Sequence, residues 1–112
     1  MRKYLKDSED LLAKGDYIQA SEKLWGVAAE TVNAIAASRD IELRTYADLW
    51  RFVGQLRTEL KDPEISKLFA AAGTLHQNFY EGHLVPDMVI DYTEAVKQFV
   101  EKLEEILKSR WC

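Results

Sequence analysis

The stretch from Tyr17 to Ser38 constrains the fold more than any other part of the chain. It reads YIQASEKLWGVAAETVNAIAAS, without proline and with low-polarity residues recurring every three or four positions. Tyr17, Ala20, Leu24, Ala28, Thr31 and Ile35 fall on one side of a helix, and Gly26, Ala29, Asn33 and Ala37 on another. A helix with two low-polarity faces needs neighbours on both, which predicts that it lies at the centre of the fold. The second face is small rather than bulky. It invites close approach by another helix, from the same chain or from a second subunit.

The flanking segments carry the same period. Residues 2–14 predict a short amphipathic helix with Tyr4, Leu5, Ser8, Leu11 and Leu12 on one face, stopped by Gly15. Asp16 is placed to cap the next helix. After a connector at 39–44, Thr45 with Asp48 makes a capping-box pattern in which Asp replaces the usual Glu. The helix it opens has Tyr46, Leu49, Trp50, Val53, Leu56 and Leu60 as its apolar stripe. Asp62 and Pro63 read as an N-cap and a first helical residue. The helix from 63 to about 81 is expected to bury Ile65, Leu68, Phe69, Ala72, Leu75 and Phe79. Gly82 stops it, and Pro86 marks a restart. The last helix spans about 87–110, with Tyr92, Val96, Phe99, Leu103, Ile106 and Leu107 at helical spacing. No segment alternates with period two for long enough to demand a strand. The fold expected is all-α, an antiparallel bundle of about five helices with short connections. The first two helices have the outline of a tetratricopeptide hairpin. No second copy follows, so a solenoid is not indicated.

Composition narrows the class. A chain of 112 residues with 47% hydrophobic and 30% charged residues suits one domain over 1–112 with a continuous core. The net charge of −4 argues against strong non-specific binding to nucleic acid. A local basic patch would have to come from Arg39, Arg44, Arg51 and Arg57. Cys112 is the only cysteine, so no internal disulfide is possible, which suits a reducing compartment. The opening MRKYLKDSEDLL has acids where a signal peptide needs apolar residues. No apolar run approaches the ~20 residues of a membrane span. A cytoplasmic protein without membrane contact is expected.

His76 and His83 are the only histidines. Seven residues of straight helix separate them by about 10 Å, too far to share a metal ion. His76 reads either as a partly buried histidine with a hydrogen-bond partner or as an acid/base group. Glu22 is either a solvated or interhelical charge, or a carboxylate beside His76. Trp25 and Trp50 are expected between helices. Trp111 reads as a docking or dimer anchor. There is no phosphate-binding loop, HExxH, paired CxxC or glycine-rich dinucleotide turn, so no metal and no cofactor is expected.

Three blocks, Gly15 to Ala37, Tyr46 to Val53 and Leu68 to Gly82, resemble the archaeal PaREP1 family in sequence and in order. That family is placed near the HEPN superfamily of helical bundles. The resemblance implies a HEPN-like bundle and a homodimer. It also implies one of two trades: ribonuclease, or partner of a minimal nucleotidyltransferase. HEPN ribonucleases carry an arginine, a polar residue and then a histidine. Here His76 and His83 lack the preceding arginine, and Asn78 stands as a candidate remnant of the polar position. The helical wheel turns Asn78 away from the core stripe, toward a dimer surface. Such a nuclease works without metal: a histidine moves the proton of the ribose 2′-hydroxyl or of the leaving group. RNA would then be the substrate. Arg39, Arg44 or Arg51 of a second subunit would have to supply the cation.

The leading expectation is therefore a non-catalytic helical interaction module, homodimeric through the small face (Gly26, Ala29, Asn33) or the last helix. The alternatives are an atypical HEPN-type ribonuclease using His76 or His83, and a small-ligand domain with a cavity lined by Trp25, Phe79 and Tyr80.

Overall fold

The computed structural model describes residues 2–109, with side chains described from Leu5 to Lys108. Trp111 and Cys112 lie outside the described residues, as does the side chain of Tyr4. Five helices follow in order: α1 (Arg2–Ala13), α2 (Tyr17–Ser38), α3 (Tyr46–Leu60), α4 (Pro63–Glu81) and α5 (Pro86–Ser109). The fold is an all-α bundle, as the periodicity predicts.

Local chemistry sets each boundary. Gly15 takes φ +80° after α1, and its N–H bonds back to the Leu12 carbonyl. The Asp16 carboxylate accepts from the Gln19 N–H and caps α2. At α3 the capping box is complete. Thr45 Oγ1 accepts from the Asp48 N–H at 3.0 Å, and the Asp48 carboxylate accepts from the N–H groups of Thr45 and Arg44. Lys61, a non-glycine residue at φ 53°, ends α3 in the left-handed region. Asp62 caps α4, with Pro63 at its first turn. Gly82 ends α4 at φ 58°.

α2 is the hub, and each of the other four helices packs on it. Its 22 residues span about 33 Å at 1.5 Å per residue, most of the 40 Å long axis. α4 and α5 pack on α2 and on each other, while α3 lies on α4 and against one edge of α2. The core runs from Leu24, Ala28 and Ile35 of α2 to Phe69 and Leu75 of α4 and to Val96, Phe99 and Leu103 of α5, all fully buried. Phe69 and Phe99 meet at 5.4 Å between ring centroids. Ser21, Thr31 and Thr93 are buried as well, each donating its hydroxyl to the carbonyl four residues earlier. Among the described residues no buried side-chain polar atom lacks a partner.

The two faces of α2 are buried to different extents. Its inward arc is wider than the first stripe and takes in Ser21, Trp25, Val27, Val32 and Ala36. What the arc leaves outside is the small face: Gly26 and Ala29 are half-buried, Asn33 and Ala37 exposed. Among the described residues, none covers Gly26. A Cβ built on Gly26 would meet nothing within 4 Å. Among the described residues no helix is long and apolar enough to cross a membrane.

Candidate functional site

Glu22 and Trp25 lie three residues apart on α2, hence on one side of the helix. His76 comes from α4, and Tyr80 follows it by one turn. His76 Nδ1 stands 2.9 Å from Glu22 Oε1. An ionised carboxylate only accepts, so in this contact Nδ1 carries the hydrogen, and in the neutral ring the lone pair is then on Nε2. The imidazole stacks on Trp25, with centroids 4.7 Å apart and planes at 25°. Tyr46, the first residue of α3, lies at 6.1 Å and nearly parallel, and Tyr80 presents its edge at 5.4 Å. Trp25 also meets Phe69 at 5.5 Å, and Trp50 meets Phe69 at 4.6 Å. The aromatic stack therefore runs from the core to the surface. It ends in two open rings, Tyr46 at 50% and Tyr80 at 70% exposure.

A shallow groove of about 200 Å³ adjoins this cluster, lined by Gln19, Glu22, Lys23, Gly26 and Glu30. Its floor is the glycine. The ligand cavity expected between Trp25, Phe79 and Tyr80 is not what α2 and α4 build there. The faces of Trp25 are taken by His76, Tyr46 and Phe69, and Tyr80 packs edge-on against Phe79 at 5.1 Å.

Asn78 requires a correction. It is not on an outward surface but fully buried. Its Nδ2 donates to Ser21 Oγ at 3.1 Å, and its Oδ1 accepts from the Leu84 N–H at 2.9 Å. The wheel misplaces it because the buried arc of α4 is wider than the expected stripe and takes in Ala71 and Asn78 beside Leu75. His83 is exposed in the α4–α5 turn and makes no hydrogen bond or ring contact with His76. Of the arginines that could form a basic patch (Arg39, Arg44, Arg51 and Arg57), three face carboxylates instead of the site: Arg39 bonds Glu59 through two nitrogens, Arg44 bonds Glu42, and Arg51 bonds Asp48. Among the described residues no three of His, Cys, Asp or Glu are grouped to hold a metal ion.

The structure thus brings together Glu22, Trp25, His76 and Tyr80, with Gly26 beside them. It leaves His83 apart and moves Asn78 inside. Tyr46 is the member that sequence reasoning assigned only to the apolar stripe of α3. The residue before it caps the helix, and nothing local reveals that its ring crosses to α4.

The family model for the archaeal PaREP1/PaREP8 family matches residues 1–100. A crystal structure of a protein from Sulfolobus solfataricus is similar to this chain at a TM-score of 0.81 and 27% identity. The similarity covers 95% of this chain and 94% of that one. No curated relative matches the chain.

Proposed function

This chain belongs to the archaeal PaREP1/PaREP8 family, and from its site we propose that it is a non-catalytic, HEPN-like interaction module, acting in the cytoplasm as a homodimer. The observation that carries this reading is the aromatic stack that reaches the surface at Tyr46 and Tyr80 beside an uncovered helix face. Rigid aromatic side chains around a hydrogen-bonded polar centre are what anchors a protein interface. Here the polar centre, His76 with Glu22, is already satisfied and half-shielded. A HEPN-like bundle fits the family and the five-helix architecture. A minimal nucleotidyltransferase would be a second partner for the same face.

One observation favours the ribonuclease reading. Glu22 orients the His76 ring through Nδ1, and in the neutral ring this leaves the Nε2 lone pair for a general base to use. Against it stands the chemistry of the phosphate, whose developing charge calls for a cation. Arg39, Arg44 and Arg51 are each engaged by a carboxylate. The discriminating experiment measures oligomeric state, then RNA cleavage by the wild-type protein, His76→Ala and His83→Ala. A dimer with no histidine-dependent cleavage is expected. Cleavage lost in His76→Ala and kept in His83→Ala would replace the module with a nuclease.

A further inference from the structure

We infer that the corner formed by Glu22, His76, Tyr46 and Tyr80 is a binding site for a guanidinium group, and that its occupant is an arginine side chain carried by a different protein. The inference rests on the interaction-module reading above and names the chemistry of the partner.

The polar atoms that Glu22 and His76 leave open are both acceptors. Glu22 gives Oε1 to His76 Nδ1, and no described residue donates to Oε2. In the neutral ring His76 Nε2 holds a lone pair, and no described residue donates to it either. Neither atom is sealed in, because among the described residues no buried side-chain polar atom lacks a partner. With the two side chains 27% and 34% exposed, both acceptors open to water. The rest of the corner is aromatic. Tyr80 lies 5.4 Å and Tyr46 6.1 Å from the imidazole, so a group seated on the Glu22–His76 pair is within reach of two largely open rings.

Acceptors and ring faces select among ligands. An anion meets the Glu22 carboxylate and finds no cation offered. Lys23, the next residue on α2, shares a groove with Asp7 and Asp10 of α1, and Arg44 holds Glu42. An apolar group strips water from Oε2 and Nε2 and gives nothing back. A cation is drawn by the carboxylate and by the ring faces together. Of the two side-chain cations, guanidinium fits better. It is flat, so it lies against a tyrosine ring, and its five N–H donors fork toward two acceptors, whereas an ammonium is compact and strongly hydrated. Arg39, Arg44 and Arg51 of this chain already face carboxylates, which points to an arginine from elsewhere.

Titration of the full chain with the peptide acetyl-Arg-Arg-Arg-amide tests the site, followed by NMR of the tyrosine and histidine rings at mildly alkaline pH, where imidazoles are neutral. The Tyr80 and His76 signals should shift and saturate. The citrulline counterpart, similar in shape but uncharged, should not saturate, and the lysine counterpart should bind about threefold or more weakly. Glu22→Gln should weaken binding by about tenfold. Tyr80→Leu should weaken it by about threefold and Tyr80→Phe leave it near wild type, since the ring face is what counts. Tyr80 is so exposed that neither change disturbs the fold. Asp91→Asn, which removes an exposed acid of α5, controls for net charge and should have little effect. No saturable shift, equal binding of the citrulline peptide, or a loss in Glu22→Gln no greater than in Asp91→Asn overturns the site. A dimer that the arginine peptide splits and that Glu22→Gln also splits puts a second copy there and overturns the choice of partner. None of these results decides the interaction-module reading itself, which fails separately, on RNA cleavage lost in His76→Ala.

Discussion

The side chain of Asn78 uses both ends of its amide at once. Ser21 Oγ donates to the Tyr17 carbonyl and accepts from Asn78, and Asn78 in turn accepts from the Leu84 N–H. This chain of three hydrogen bonds joins the first turn of α2, the end of α4 and the approach to α5. Removing it leaves the Leu84 N–H without an acceptor in a half-buried turn. Asn78→Ala is expected to cost about 2 kcal/mol of unfolding free energy, read as a fall in the urea midpoint. The residue type was visible in the sequence, but its role was not. Its partners lie 57 positions earlier and 6 later, and a wheel drawn with one buried stripe turns it outward. The same holds for His76 and Glu22, 54 positions apart. The sequence offered each as a candidate, and only packing brings the two together.

Helices were the most legible level, because their signals are local. Asp16, Thr45 with Asp48, and Asp62 with Pro63 announced three helix starts, and each cap forms with the residue expected. Gly15 and Gly82 announced two ends. The left-handed cap at Lys61 went unannounced, since lysine carries no preference for that region. What the pattern could not give was how wide an arc of α2 is buried, which depends on four neighbours at once. Two glycines test the packing between elements. Gly54 is exposed on α3 with nothing near its missing Cβ, so Gly54→Ala should stabilise the protein by about 0.5–1 kcal/mol through helix propensity. Gly73 lies under the Trp50 ring, which is itself held edge-on against Phe69 at 4.6 Å. There the added methyl displaces the indole, and Gly73→Ala should destabilise by about 1 kcal/mol. Thermal melts of the two variants are expected to move in opposite directions.

At the scale of the whole molecule, a few ion pairs tie elements together and set the response to pH. Asp62 caps α4 and also accepts from Lys102 of α5 at 2.8 Å, and that contact most of all holds its carboxyl below the usual value. The N–H of Arg44 does the same for Asp48 at the start of α3. Lys97 of α5 is raised, chiefly by its hydrogen bond with Glu9 of α1. For the two aspartates the unfolded chain takes up protons first. Their contribution is complete above the ordinary value of 3.8 and is lost as the pH falls through it toward the folded values. For Lys97 the sign reverses: its contribution is complete below 10.5 and is lost as the pH rises through the raised value. The melting temperature should therefore hold level at neutral pH and fall on the acid side below about 4. Asp62→Asn, which keeps a capping oxygen, should show a shallower acid fall than wild type.

The way α1 is attached has a consequence for how the molecule comes apart. α2, α4 and α5 each pack on the other two and α3 joins two of them, but among the described residues α1 packs on α2, with Glu9 and Lys97 as its tie to α5. Closed circuits of contacts open only together, whereas a branch with one support opens by itself. The helix α1 is therefore expected to open before the four-helix body once its tie to Lys97 breaks, lengthening the exposed side of α2 without dissolving the core.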